Sequence, residues 1–78
     1  MRDLVDFLVR ALVADPDAVR VEEIDEGADG ILLEVHVADD DLGRVIGREG
    51  RVANAIRTVA KAAATVEGVR VMVEIVED

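Results

Sequence analysis

Apolar and polar residues recur along this chain with two different periods. Leu4, Leu8, Ala11 and Leu12 fall at helical spacing and Val5 and Phe7 widen the apolar face, so the chain is predicted to open with a helix. Asp3 is placed to act as its N-cap. Asp15-Pro16-Asp17 predicts the stop, because the residue before a proline is pushed out of the helical region. A period of two follows, with Val19 and Val21 alternating with Arg20 and Glu22 as a strand to about Ile24, although the alternation breaks at Glu23. Gly27 to Gly30 supply turn chemistry, and Ile31, Leu33, Val35 and Val37 then alternate with Leu32, Glu34 and His36. The two runs predict a hairpin.

Asp39-Asp40-Asp41 has the composition of a helix start, where carboxylates accept unpaired N–H groups and oppose the positive end of the dipole. Leu42, Val45 and Ile46 make that helix short, and Gly47 ends it. From Arg51 to about Thr65 a longer helix is predicted: Val52, Ala55, Ile56, Val59, Ala63 and Val66 share one arc at ~100° per residue. Arg51, Asn54, Arg57, Thr58 and Lys61 share a polar arc. Gly68 breaks the pattern, and Val69, Val71, Val73 and Ile75 alternate as a last strand. The order is α-β-β-α-α-β. A helical crossover between the second and third strands makes them parallel, with the helices on one face, so the expected fold is an α+β two-layer sandwich. With 78 residues the chain is expected to form a single domain over 1–78.

Composition narrows the function. Hydrophobic residues at 51% and charged residues at 35% suit a folded chain rather than a disordered one. One Phe, no Tyr and no Trp leave no aromatic platform for base stacking, which argues against RRM, OB-fold and cold-shock modes of nucleic-acid binding. The absence of cysteine removes disulfides, thiolate metal sites and thiol nucleophiles together. The net charge of −9 would argue against nucleic acid were it evenly spread. It is not: residues 44–61 hold Arg44, Arg48, Arg51, Arg57 and Lys61 against Glu49 alone, leaving four basic against seventeen acidic residues elsewhere.

Gly47-Arg48-Glu49-Gly50 lies at the centre of this basic island, between the two predicted helices. Two glycines let the backbone turn sharply and approach a ligand, while the next helix aims its first N–H groups at the loop, which suits a phosphate. Arg48 is the candidate phosphate contact. Arg51 sits in a first helical turn, where the dipole disfavours a cation, and a ligand phosphate would supply the reason for it. Asn54, one turn on, is placed to reach a base edge or sugar, and Arg44 flanks the loop. Arg57 and Lys61 lie farther along and are expected to be solvated or paired. Glu49 partly cancels Arg48.

Val45-Ile46-Gly47-Arg48-Glu49-Gly50-Arg51-Val52-Ala53-Asn54-Ala55-Ile56 resembles the KH pattern of an apolar pair, G-x-x-G and an apolar-spaced helix. With the α-β-β segment before it and the strand after it, the whole chain resembles a KH domain of the prokaryotic type (type II). Its length and the stretch Gly50 to Val59 are similar to the small free-standing bacterial KH proteins of the KhpA family. The resemblance implies a non-enzymatic protein that binds single-stranded RNA, about four nucleotides being clamped by the loop, as an RNA chaperone or post-transcriptional regulator. It implies that Ile46, beside Val45, also floors a base-binding groove. It implies a homodimer, or a heterodimer with a KhpB/Jag-like partner. The rival expectation is a protein-interaction adaptor whose KH fold serves mainly dimerisation.

For self-association the residues suggest the small-residue strip Ala53, Ala60 and Ala64 on the long helix, with the outer sheet face around Leu32, Met72 and Val76 as the competing surface. His36 reads as a lone outward-facing strand residue without metal partners. The three consecutive aspartates lack the spacing of a calcium loop. With no catalytic constellation and no Walker ending after Gly50, no metal, cofactor or reaction is expected. Neither a signal peptide nor a membrane span is expected, so the cytoplasm is the expected compartment.

Overall fold

The computed structural model describes residues 1–77. Its elements run α1 (Arg2–Leu12), β1 (Arg20–Asp25), β2 (Ile31–His36), α2 (Leu42–Ile46), α3 (Arg51–Glu67) and β3 (Val71–Ile75), with single 3₁₀ turns at Pro16–Ala18, Gly27–Asp29, Asp39–Asp41 and Arg48–Gly50. The sheet order is β1-β2-β3. β1 pairs with β2 antiparallel, from Arg20 opposite His36 to Asp25 opposite Ile31, and β2 pairs with β3 parallel, from Ile31 opposite Val71 to Val35 opposite Ile75. The α+β two-layer arrangement of a type II KH domain is therefore present, with the crossover through α2 and α3. Among the described residues no helix is long and apolar enough to cross a membrane.

The core forms between one sheet face and the helices, from Leu33, Val35, Val21, Val71 and Val73 below and Val5, Val9, Val45, Ile56, Ala60 and Ala64 above. Here the helix faces differ from those the sequence predicts. On α1, Val5 and Val9 are wholly buried while Leu12 is 40% exposed. On α3 the buried stripe is Ala53, Ile56, Ala60 and Ala64, whereas Val59 and Val66 are 42% and 88% exposed. The reason is proximity: a stripe of methyl groups lets the helix axis come close to the valine-rich sheet, and larger side chains are displaced to the flank. This corrects the self-association strip. Ala53, Ala60 and Ala64 are spent on the chain's own core and offer no surface to a second copy.

Three local expectations are also revised. Asp3 lies inside the first turn of α1, with Met1 at the cap position. The last strand begins at Val71 rather than Val69. Asp41 makes no cap bond to its own helix α2. Instead its buried carboxylate accepts the backbone N–H groups of Ala14 and Asp15, both at 3.0 Å, and meets the Arg44 guanidinium at 3.4 Å. Asp41 thus ties the segment after α1 to the helix that leads into the glycine loop.

The Ala14 N–H does most to hold the Asp41 carboxyl below its ordinary value near 3.8, joined by the Asp15 N–H and Arg44 against the cost of burial. A depressed folded-state value means the carboxylate's stabilisation is present above the ordinary value and is lost as pH falls through the lowered one. Asp41→Ala is accordingly expected to lower Tm at neutral pH by several degrees. The gap between wild type and variant should close as thermal melts are repeated at pH values falling below about 4.

Candidate nucleic-acid interface

The loop's shape follows from its two glycines. Gly47 ends α2 with its N–H bonded to the Gly43 carbonyl at 2.9 Å, and it adopts φ 78°, ψ 173°, a backbone that side chains rarely allow. A Cβ there would also stand 2.8 Å from the Val52 nitrogen. Gly50, at φ 76°, closes the turn by donating to the Gly47 carbonyl at 3.2 Å. Between them Glu49 is held at φ 57°, the one non-glycine residue with positive φ among those described. The result throws Arg48 and Glu49 outward, both exposed. The 17 residues of α3 then begin at Arg51 with no side-chain cap and no acidic residue in the first turn. Its positive dipole end faces the loop, with the Arg51 N–H donating to the Arg48 carbonyl.

The profile of the KhpA/KhpB KH domain matches residues 2–75. The chain belongs to that KH family. It is 53% identical over 76 residues to the RNA-binding protein KhpA of Caldanaerobacter subterraneus, 50% over 76 residues to that of Clostridium acetobutylicum and 46% over 77 residues to that of Halalkalibacterium halodurans. These alignments cover 97%, 97% and 99% of this chain and the full length of each relative. Among solved structures it is similar to Aquifex aeolicus Era in complex with GDP and aluminium fluoride, at a TM-score of 0.63 and 19% identity, over 95% of this chain and 28% of Era. At that identity the likeness shows the fold alone.

In this KH domain the basic residues do not stand alike. Arg48 has no ion-pair or hydrogen-bond partner among the described residues. Glu49 leans toward Arg51 rather than Arg48, at 3.8 Å between two exposed groups, a separation worth little in water. Arg44 is drawn to Asp41, so much of its charge is already answered. Val45 is wholly buried, and Ile46 is half-buried beside the loop.

Asn54 and Arg57 form one unit. The Asn54 carbonyl oxygen Oδ1 accepts from Arg57 Nη1 at 3.1 Å, and Arg57 Nε donates to the main-chain carbonyl of Val73 at 3.1 Å. That bridge spans from α3 to the open edge of β3, so Arg57 joins the cleft between helix and strand. The sequence shows it only as one more member of the polar arc, because its partner lies 16 residues away. Lys61 lies two turns beyond Asn54, exposed and away from the loop.

On the other flank of α3, Val52, Ala55 and Val59, with the edge of the buried Ile56, line an apolar groove of about 310 Å³ against Leu8 and Leu12 of α1, with Arg51 at its end.

Proposed function

We propose that the chain binds single-stranded RNA through the loop Gly47 to Gly50 and the cleft beyond it. The observation that carries this reading is the outward Arg48, without a partner among the described residues, on a glycine-framed turn that leads into the positive dipole end of α3. Phosphate oxygens there would meet backbone N–H groups, the helix dipole and a free guanidinium together. Arg51 lies within reach of the same backbone. Asn54 and Arg57 offer polar groups to a base edge, and Ile46 supplies an apolar floor. The names of the relatives support the same ligand, and the family supports a role without catalysis, as an RNA chaperone or post-transcriptional regulator.

Salt dependence tests the electrostatic part. With three or four phosphates engaged, log K against log salt should fall with a slope of about −2 to −3 for single strands. A flat response in a filter-binding or anisotropy series would refute the phosphate grip.

A second reading, association with another KH chain, draws support from the apolar α1–α3 groove, since large side chains left half in water on two neighbouring helices favour a covering partner. A homodimer, or a heterodimer with a KhpB/Jag-like chain, would bury Leu12 and Val59 there. Val59→Glu is then expected to turn a dimer into a monomer in sedimentation at tens of micromolar without loss of helix signal. A variant that sediments as the wild type would rule out this groove as the contact.

A further inference from the structure

The sheet carries a second organised surface, on the side away from the helices. Strand register sets its side chains in rows across all three strands: Ile24, Leu32 and Met72 form one, and Glu22, Glu34 and Glu74 form the next. Rows two residues apart along a strand lie ~7 Å from each other, and strands ~4.8 Å apart make each row ~10 Å long. Ile24 and Met72 are 38% and 48% exposed, large apolar groups in water on a face with no helix over it. The glutamates stand directly opposite one another, an arrangement that destabilises a sheet through like-charge repulsion. Glu22 is answered by Arg20 at 2.8 Å, but Glu34 and Glu74 have no ion-pair partner among the described residues. Two unfavourable rows thus lie side by side, and one kind of partner relieves both.

We propose that this face docks a cationic amphipathic helix of another protein, its apolar stripe on Ile24, Leu32 and Met72 and its flanking Lys or Arg side chains on Glu22, Glu34 and Glu74. The choice of partner rests on charge complementarity. Outside residues 44–61 the chain holds four basic and seventeen acidic residues, so nucleic acid and anionic lipid are repelled where a cationic segment is drawn in. Dimensions agree: a helix advances 5.4 Å per turn, so two turns laid along the rows cover the three strands, and side chains at i and i+7, on one face and ~10 Å apart, reach opposite ends of the acidic row. A second copy of the chain fits less well, because two of its five island cations are held in place, Arg44 by the Asp41 carboxylate and Arg57 against the Val73 carbonyl, and the whole chain carries a net charge of −9 that repels its own acidic face. This docking does not depend on the RNA reading.

The probe is a short synthetic helical peptide of leucine and lysine in amphipathic register, titrated into the full chain at physiological salt without RNA. Saturable binding is expected, with amide shift changes gathered on residues 22–24, 32–36 and 72–76. Glu34→Lys with Glu74→Lys should weaken the peptide at least about tenfold, and Met72→Ser about fivefold through lost apolar contact. Circular dichroism checks that both variants fold. Three results would overturn the proposal: shift changes on Leu8, Leu12 and Val59 instead, unchanged affinity in the charge-reversed variant, or full affinity in Met72→Ser, which would reduce the effect to general attraction of a cation by an acidic chain.

Discussion

Arg48→Asp combined with Glu49→Asp is expected to weaken RNA binding by at least about tenfold at physiological salt, while leaving the fold unchanged. Arg48 is exposed and contributes no contact to the core, so its loss removes nothing that holds the chain together. Replacing the unpaired cation by an anion puts repulsion where the phosphate would sit, opposite the start of α3. The second change preserves charge and suits the backbone. Glu49 is held at φ 57°, where a short aspartate is better tolerated than most side chains. Thermal melts should therefore nearly superimpose on the wild type, and the slope of log K against log salt should become shallower. A folded double variant with unchanged affinity would remove the loop from the interface.

Gly47→Ala should have the opposite character, a large loss of stability that carries binding down with it. Two costs coincide at this position. Its φ of 78° disfavours any Cβ, and the added atom would lie 2.8 Å from the Val52 nitrogen, which belongs to the start of α3 and cannot yield without moving the helix. Strain and overpacking together amount to about 2–4 kcal/mol, a large share of the stability of so small a domain. Gly50→Ala meets only the first cost, since the nearest atom to its Cβ would be Asn54 Nδ2 at 4.0 Å, and should lose about 1–2 kcal/mol. Gly43→Ala, inside α2 with open space around it, should be neutral or stabilising by up to about 1 kcal/mol. Chemical denaturation of the three variants checks the order, and equal losses at Gly47 and Gly43 would contradict it.

How far the sequence discloses this molecule depends on the range of the interaction that decides each feature. The alternation from Ile31 to Val35 is plain because the sheet has one covered and one bare face, so burial itself has a period of two. The loop is plain because its demand for glycine is a property of two backbone positions. The helix faces are less legible because side-chain size is a poor guide where close approach matters: alanines at 53, 60 and 64 go inward and valines at 59 and 66 stay out. The partners of Asp41 and Arg57 are hidden from the sequence for another reason. Each is fixed by a partner on a distant segment, Ala14 and Asp15 for the one and Val73 for the other, and no local pattern announces such a bond.

The bridge from Arg57 to Val73 also bears on solubility. β3 is an edge strand, and the carbonyl it turns outward at Val73 would otherwise be free to accept an N–H from a strand of another molecule. Arg57 occupies that acceptor with a charged group, which both consumes the hydrogen bond and surrounds the edge with water. The cleft proposed to take nucleotides is therefore the same margin through which sheets of neighbouring chains would fuse, and the arginine proposed to serve a ligand there also keeps it from becoming a site of aggregation.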